Sequence, residues 1–202
     1  MSIPAADYRH YHQVRIGALP TWVRTGRGST VDKSCRACAE LAETPAHVVQ
    51  MCLRTHGGRV LRHDAVVELL AARLRNKGWI VEKEHLYQLD SEALKPDLVA
   101  VRPEGACVII DAQVVSAAQG LRGAFRAKVR KYERADLLEA VGARHLVNPE
   151  AVEVVACTIS WRGVWCCSSV EEQRDSRASK VESYPEDKAM ALLRSCSGRG
   201  AQ

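Results

Sequence analysis

The sequence predicts an α/β fold: a helix, three strands, a helix and a further strand, preceded by a small Cys/His knuckle. Three observations predict it. Short apolar runs rich in Val and Ile at 94–101, 106–115 and 152–160 have the length and composition of buried strands. Amphipathic stretches at 61–76 and 119–141 carry helical periodicity. Ahead of both, four metal-ligating side chains crowd into a segment with little apolar content of its own.

A chain of 202 residues has room for one ordinary domain and a small appendage, and its 47% hydrophobic content excludes global disorder. Against 24 Asp and Glu stand 29 Lys and Arg, a formal charge of +5, a mildly basic balance compatible with nucleic acid. No apolar run reaches a membrane span and no signal peptide opens the chain, so a soluble, intracellular protein is expected. In a reducing compartment, eight cysteines point to metal rather than disulfides.

Residues 1–34 read as a basic linker, with Pro20, Gly26 and Gly28 breaking any long element. Arg15, Arg24 and Arg27 around Trp22 suit phosphate contacts beside a stacking ring, or an exposed linker whose Trp packs on a neighbour. Residues 35–58 hold Cys35, Cys38, His47 and Cys52 in the pattern C-x2-C-x8-H-x4-C. Two cysteines two residues apart make a tight knuckle, and a returning His and Cys close a tetrahedron around Zn²⁺. The metal would supply much of the segment's folding energy. His56 is an alternative fourth ligand, and His47 is preferred. Arg54-Thr-His-Gly-Gly-Arg59 reads as a polar hinge. A helix over 61–76 follows, with Leu61, Val66, Leu69, Leu70 and Leu74 as its stripe and Gly78 as its stop. Glu68, near that stripe, reads as a solvated side chain, with a third acidic contact at the site below as the alternative.

A strand at 79–86 and a turn at 90–93 lead into a hairpin, 94–101 and 106–115, joined by Arg102-Pro-Glu-Gly. Each hairpin strand carries one carboxylate in apolar surroundings, Asp97 and Asp111, and the hairpin sets both at one end of the sheet. Buried carboxylates are costly unless paired or metal-bound. Two together make a site for a hard cation such as Mg²⁺. On the helix at 119–141, Leu121, Phe125, Lys128, Tyr132 and Ala135 share one narrow face. Lys128 thus sits in the packing face, as a snorkelling lysine or, beside two carboxylates, a catalytic cation. Arg122, Arg126, Arg130, Lys131 and Arg134 form a basic outer surface. Cys107 and Cys157 read as small core residues, while Cys166, Cys167 and Cys196 lack ligand spacing. The polar tail, 169–202, suggests two short helices at 170–178 and 186–195 and no chemistry.

The knuckle, RTHGGR, KPD at 95–97, DAQVVS at 111–116, K-x2-K-Y at 128–132 and CTISWRGVW at 157–165 form an ordered set. It resembles the C-terminal region of site-specific non-LTR retrotransposon proteins carrying a restriction-like endonuclease, of the PD-(D/E)xK nuclease superfamily, over residues 8–168. The resemblance implies a restriction-endonuclease-like core at 59–168, a mixed central sheet flanked by helices. Asp97 and Asp111 would hold Mg²⁺ or Mn²⁺. Where the general pattern has a lysine two residues after the second acid, this chain has Gln113; in this family the lysine has moved to the following helix, and Lys128 matches it. Tyr132 matches a family tyrosine near the same site. Arg54, His56, Arg59, Arg126, Arg130 and Lys131 are the candidate nucleic-acid contacts. The implied activity is metal-dependent nicking of duplex DNA at an insertion target, in the family often ribosomal RNA genes, to prime reverse transcription. The element RNA would be reached through the parent polypeptide, in the nucleus and without a membrane. Competing readings are a catalytically inactive nucleic-acid-binding module, favoured by Gln113, and a cellular resolvase or repair nuclease.

Overall fold

The computed structural model describes residues 12–116 and 120–166. A single-turn helix α1 (Trp22–Thr25) precedes the Cys/His segment, which leads into a long helix α2 (His56–Asn76). Strand β1 (Ile80–Lys83), the short pair β2 (Tyr87–Gln88) and β3 (Ala93–Leu94), and strands β4 (Leu98–Val101) and β5 (Cys107–Val115) come next. Helices α3 (Leu121–Tyr132) and α4 (Ala135–His145) then lead to β6 (Val152–Ser160). The helices expected at 170–178 and 186–195, and Cys167 and Cys196, lie outside the described residues.

The main sheet is mixed, in the order β1-β4-β5-β6, with β5 and β6 parallel and the other neighbours antiparallel. A parallel pair needs a crossover, and α3 with α4 supplies it. Alternation along the strands sends Leu98, Ala100, Val108, Ile110 and Ala112 to one face, against Val67, Leu70, Ala71 and Leu74 of α2. Val99, Cys107 and Ile109 face the other way and meet Tyr132, Leu137 and Val141 of α3 and α4. Helices cover both faces, which explains why β4 and β5 read as unbroken apolar runs. Among the described residues no helix is long and apolar enough to cross a membrane.

Several boundaries differ from the sequence expectation, and the strand expected at 79–86 already ends at Lys83. Residues 54–59 are not a hinge: Leu53–Thr55 form a 3-10 turn that runs straight into α2, with Gly57 and Gly58 inside the helix. Two helical glycines cost about 2 kcal/mol against alanine. The start is tied down nonetheless, because Arg59 Nη1 donates to Cys52 O (2.8 Å) and Thr55 Oγ1 to Val48 O (2.7 Å). The buried face of α2 is also rotated from the expected stripe, leaving Leu61 72% and Leu69 45% exposed. Its end follows the expected stop: Gly78 takes a positive φ of 81°, Gly78 N donates to Arg75 O and Trp79 N to Leu74 O.

The expected strand at 94–101 is interrupted at Lys95-Pro96, since proline has no N–H to give a ladder, so Asp97 stands one residue ahead of β4 rather than on it. The helix expected over 119–141 breaks into α3 and α4 at Glu133 and Arg134. Tyr132 and Leu137 are both buried, yet five positions apart they would point about 140° apart on one straight helix. The break turns both inward, and Arg134 holds it by pairing with Asp136 and Glu92.

The Cys/His segment folds around a buried carboxylate. Ser34 and Ala42 form an isolated bridge, Cys35 N donates to Leu41 O (2.8 Å) and Glu43 N to Lys33 O (2.8 Å). The Glu43 carboxylate, 2% exposed as a residue, accepts from Trp22 N (3.0 Å), Arg36 N (2.8 Å) and the Arg36 guanidinium (2.6 Å). It thereby joins α1 to the knuckle.

The Arg36 hydrogen bonds hold the Glu43 pKa down at about 2, below its ordinary 4.5. A carboxyl depressed on folding adds stability that is complete above the unfolded value and lost as pH falls through the folded one. Glu43→Gln should therefore melt several degrees below wild type at neutral pH. The gap should narrow as thermal melts are taken from pH 4.5 down toward 2. In α4, a Cβ at Gly142 would stand 2.8 Å from Val147 O and 3.0 Å from Pro149 Cγ. Gly142→Ala should lower the melting temperature, because this overlap exceeds the helix gain of about 1 kcal/mol.

Candidate functional site

The Cys/His segment brings its four expected ligands together. The ligand atoms of Cys35, Cys38, His47 and Cys52 all lie within 4.8 Å of one another. Cys38 Sγ is 3.3 Å from His47 Nε2, and Cys35 Sγ is 4.0 Å from Cys52 Sγ. A zinc tetrahedron with bonds of about 2.0–2.3 Å has edges of about 3.5–3.8 Å, so the spacing fits zinc. Backbone N–H groups of Glu40 and Leu41, with His47 and Cys52, hold the Cys38 thiol down at about 6 against the opposing effect of burial. The thiolate that a metal needs is therefore accessible at neutral pH. Ala39, at a φ of 58°, turns the chain directly after Cys38. A π-turn at His47–Met51 sets Cys52 beside His47, with Cys52 N donating to His47 O (2.7 Å). His56, the alternative ligand, is exposed, lies 3.0 Å from an Arg59 nitrogen through Nδ1, and is no part of the cluster. The cluster is thus Cys₃His with His47, and it could hold zinc.

The second site forms where β4 begins. The β4–β5 register runs as far as Leu98 opposite Ile110, so Asp97 and Asp111 occupy the next cross-strand step. Asp97 Oδ2 accepts from the backbone N–H of Ala112 at 2.7 Å and lies 3.3 Å from His63 Nε2. Asp111 is 3% exposed, and Lys128 Nζ stands 2.6 Å from its Oδ2. Tyr132 is buried beside the same carboxylate, and its hydroxyl donates to Lys95 O at 3.3 Å. Burial, then the Asp111 charge, raises the Asp97 carboxyl; the Ala112 amide, His63 and Lys128 act against that rise. Burial and the neighbouring Asp111 carboxylate push the Tyr132 hydroxyl above its ordinary range, so it stays protonated.

Gln113 follows two residues after Asp111 and shares its face of β5. Its Nε2 donates to Ala124 O (2.9 Å) and Thr158 Oγ1 (2.8 Å), fastening α3 to β5 and β6. An open groove of about 510 Å³ runs beside it, lined by Gln113, Gly123, Ala127, Lys128 and Lys131 among others. Arg126, Arg130 and Lys131 lie on the exposed side of α3, while Arg54, His56 and Arg59 sit at the junction of knuckle and α2. The candidate nucleic-acid contacts therefore fall into two groups on different elements. At α1 it is the Arg36 guanidinium, 5.5 Å from the ring centroid, that covers Trp22.

One site residue was not anticipated. His63 reaches Asp97 from α2 and also bonds Asp64 (3.1 Å). Burial lowers its pKa, but the Asp64 and Asp97 carboxylates outweigh that and leave it raised. The signal was present in the sequence: His63 stands four, seven and eleven positions before Val67, Leu70 and Leu74, the stripe that is buried. Reading the stripe from Leu61 and Leu69 hid it. Glu68 does not join the site; it is exposed and paired with Lys83.

No family model matches the chain. A crystal structure of a protein of unknown function overlaps 65% of this chain and of its own, at 17% identity and a TM-score of 0.39, too distant to bear on the fold. Among curated proteins, the Nasonia vitripennis Pol polyprotein from type-1 retrotransposable element R2 is 40% identical over 184 residues, 90% of this chain. The corresponding protein of Bradysia coprophila is 38% identical over 84% of the chain. The Drosophila melanogaster Pol polyprotein from type-2 retrotransposable element R2DM is 36% identical over 82%. The chain spans only 18%, 19% and 16% of those three proteins. The homologues of this chain are thus retrovirus-related Pol polyproteins of R2 retrotransposable elements, matched over most of its length.

Proposed function

We propose that this chain is the cleavage module of an R2-type Pol polyprotein, a metal-dependent DNA endonuclease of the PD-(D/E)xK kind. It would nick duplex DNA at the insertion target, with ribosomal RNA genes as the expected target class, so that the new 3′ end primes reverse transcription of element RNA in the nucleus. The observation that carries this reading is the convergence of Asp97, Asp111 and Lys128, three side chains from separate elements, at one end of the sheet. The relatives' names supply the retrotransposon context.

The donor set suits a hard divalent cation: two carboxylates at adjacent cross-strand positions, one of them almost fully buried. Bound there, Mg²⁺ or Mn²⁺ would acidify a water and stabilise charge on the scissile phosphate. The Ala112 amide and His63 fix the Asp97 carboxylate, and Tyr132 lies beside that of Asp111. Lys128 neutralises Asp111 before substrate arrives, and its ammonium, on a side chain 29% exposed, is placed to meet a phosphate oxygen or orient the attacking water. Arg126, Arg130, Lys131 and the junction group Arg54, His56 and Arg59 would contact phosphates, which position the duplex without reading its sequence. Zinc in the Cys₃His cluster would hold the knuckle folded.

Plasmid nicking in Mg²⁺, Mn²⁺ or EDTA tests the proposal. Asp97→Ala and Asp111→Ala should each reduce metal-dependent nicking by about 10³-fold and Lys128→Ala by about 10²-fold. Lys128→Ala also strips a buried carboxylate of its cation, a loss on the order of 3 kcal/mol. Its melting temperature should fall, and Mg²⁺ should restore more of it than the ion adds to wild type. A wild type that bound DNA but never cut it, even rejoined to the polymerase region, would leave an inactive binding module instead. An active Lys128→Ala would remove only the lysine's role.

A further inference from the structure

Strand β5 outruns its neighbour. It pairs with β4 only from Cys107 to Ile110, while its partnership with β6 continues to Val115. Beyond Ile110, backbone groups on the β4 side have lost their ladder, and buried backbone groups need partners. Ala112 and Val114, two residues apart, address that same edge. The Ala112 N–H goes to Asp97 Oδ2, and the Val114 carbonyl accepts from Gln50 Nε2 at 2.5 Å.

Gln50 comes from the π-turn between two cluster ligands, His47 and Cys52. Its own Oε1 accepts from Arg62 Nη2 at 2.6 Å, and Arg62 also reaches Val49 O at 3.3 Å. Arginine can only donate and a carbonyl only accept, so the two partners fix which way the amide faces. The turn is held from behind by Thr55 Oγ1 on Val48 O (2.7 Å). Two side chains thus stand in for the missing strand. One is a carboxylate of the proposed cleavage site, and the other belongs to the knuckle.

We infer that Gln50 is a positioning residue that couples zinc binding in the knuckle to the placement of the Asp111 segment of β5. Its bearing on catalysis rests on the cleavage reading above, but the coupling can be measured without cleavage. Zinc clamps His47 and Cys52, the clamped turn aims Gln50, and Gln50 replaces β4 along the edge presented by Ala112 and Val114, which alternate along the strand with Asp111 and Gln113. The knuckle is then a structural part of the catalytic sheet.

The test compares wild type with Gln50→Ala and Gln50→Glu. The glutamate keeps an acceptor for Arg62 but loses the donor and sets an anion against the Val114 carbonyl. All three chains should retain zinc, measured by release to a chromogenic chelator. Amide hydrogen exchange is then followed across 107–116, with zinc and after zinc removal. In wild type, zinc removal should speed exchange at 111–115 about tenfold. In both variants exchange should already be fast with zinc bound, and removal should add little. For nicking, kcat should fall about tenfold with KM for DNA within about twofold, the pattern of misplaced groups rather than lost binding. Variants exchanging like zinc-bound wild type would overturn the inference. So would zinc loss from them, which would make Gln50 part of the knuckle's own fold. If wild type never nicks, the cleavage reading falls alone, and the exchange comparison still decides the coupling.

Discussion

A carboxylate buried on an inner strand is costly to fold, and the site is arranged around Asp111. At Asp111 the strand is paired with β6 and packed on both faces, so the carboxylate has almost no access to water. Such a group must be paired or it shifts to its neutral form. Lys128, from the last turns of α3, supplies the opposite charge, and Tyr132 is buried alongside. That requirement fixes the depth at which α3 docks. The end of the helix has its own cause: Tyr132 and Leu137 must both reach the core, and only a break between them allows both.

The same constraint explains the place of the site in the sheet. Asp97 stands just ahead of β4, after Pro96, which has no N–H to give β5, while the Asp97 carbonyl accepts from Glu84 N at 3.0 Å. Its carboxylate is therefore free to turn toward β5 and satisfy the Ala112 amide. A start delayed by proline thus opens the edge of β5, and the open edge admits a carboxylate, a histidine from α2 and an amide from the knuckle. Four separate segments meet there because one strand is short.

Much of this was legible in residue types and spacings. Apolar runs located β4, β5 and β6, and the turn at Arg102-Pro-Glu-Gly set Asp97 and Asp111 side by side. Helical spacing put Lys128 inward, and the Cys/His pattern brought its four ligands together. What stayed hidden was tertiary. Gly57 and Gly58 argued for a hinge, but hydrogen bonds from Arg59 and Thr55 override their low helix propensity. Leu61 and Leu69 drew the apolar stripe off its true phase and concealed His63. Nothing in K-Y-E-R-A-D marks a helix break, since it depends on Arg134 reaching Glu92 in a distant loop. Gln50 carries no local signal at all, because its partner lies 64 residues away.

Gln113 gains a different meaning from this geometry. A lysine on the strand two residues after an acid shares the acid's face and needs no other element to stand beside it. A lysine on a helix has no such guarantee, since any sliding of the helix moves the ammonium with it. Here the strand position is given to a neutral amide that bonds the Ala124 carbonyl, four residues before Lys128. In an α-helix that carbonyl also receives the Lys128 N–H. Gln113 therefore grips α3 one hydrogen bond away from the lysine backbone, and its second bond, to Thr158, ties the grip to β6. The amide cannot supply charge, but it removes the freedom that displacing the charge onto a helix would introduce. Strand amide and helix lysine act as one unit: Gln113 fixes where α3 sits, and that decides where the cation of Lys128 stands.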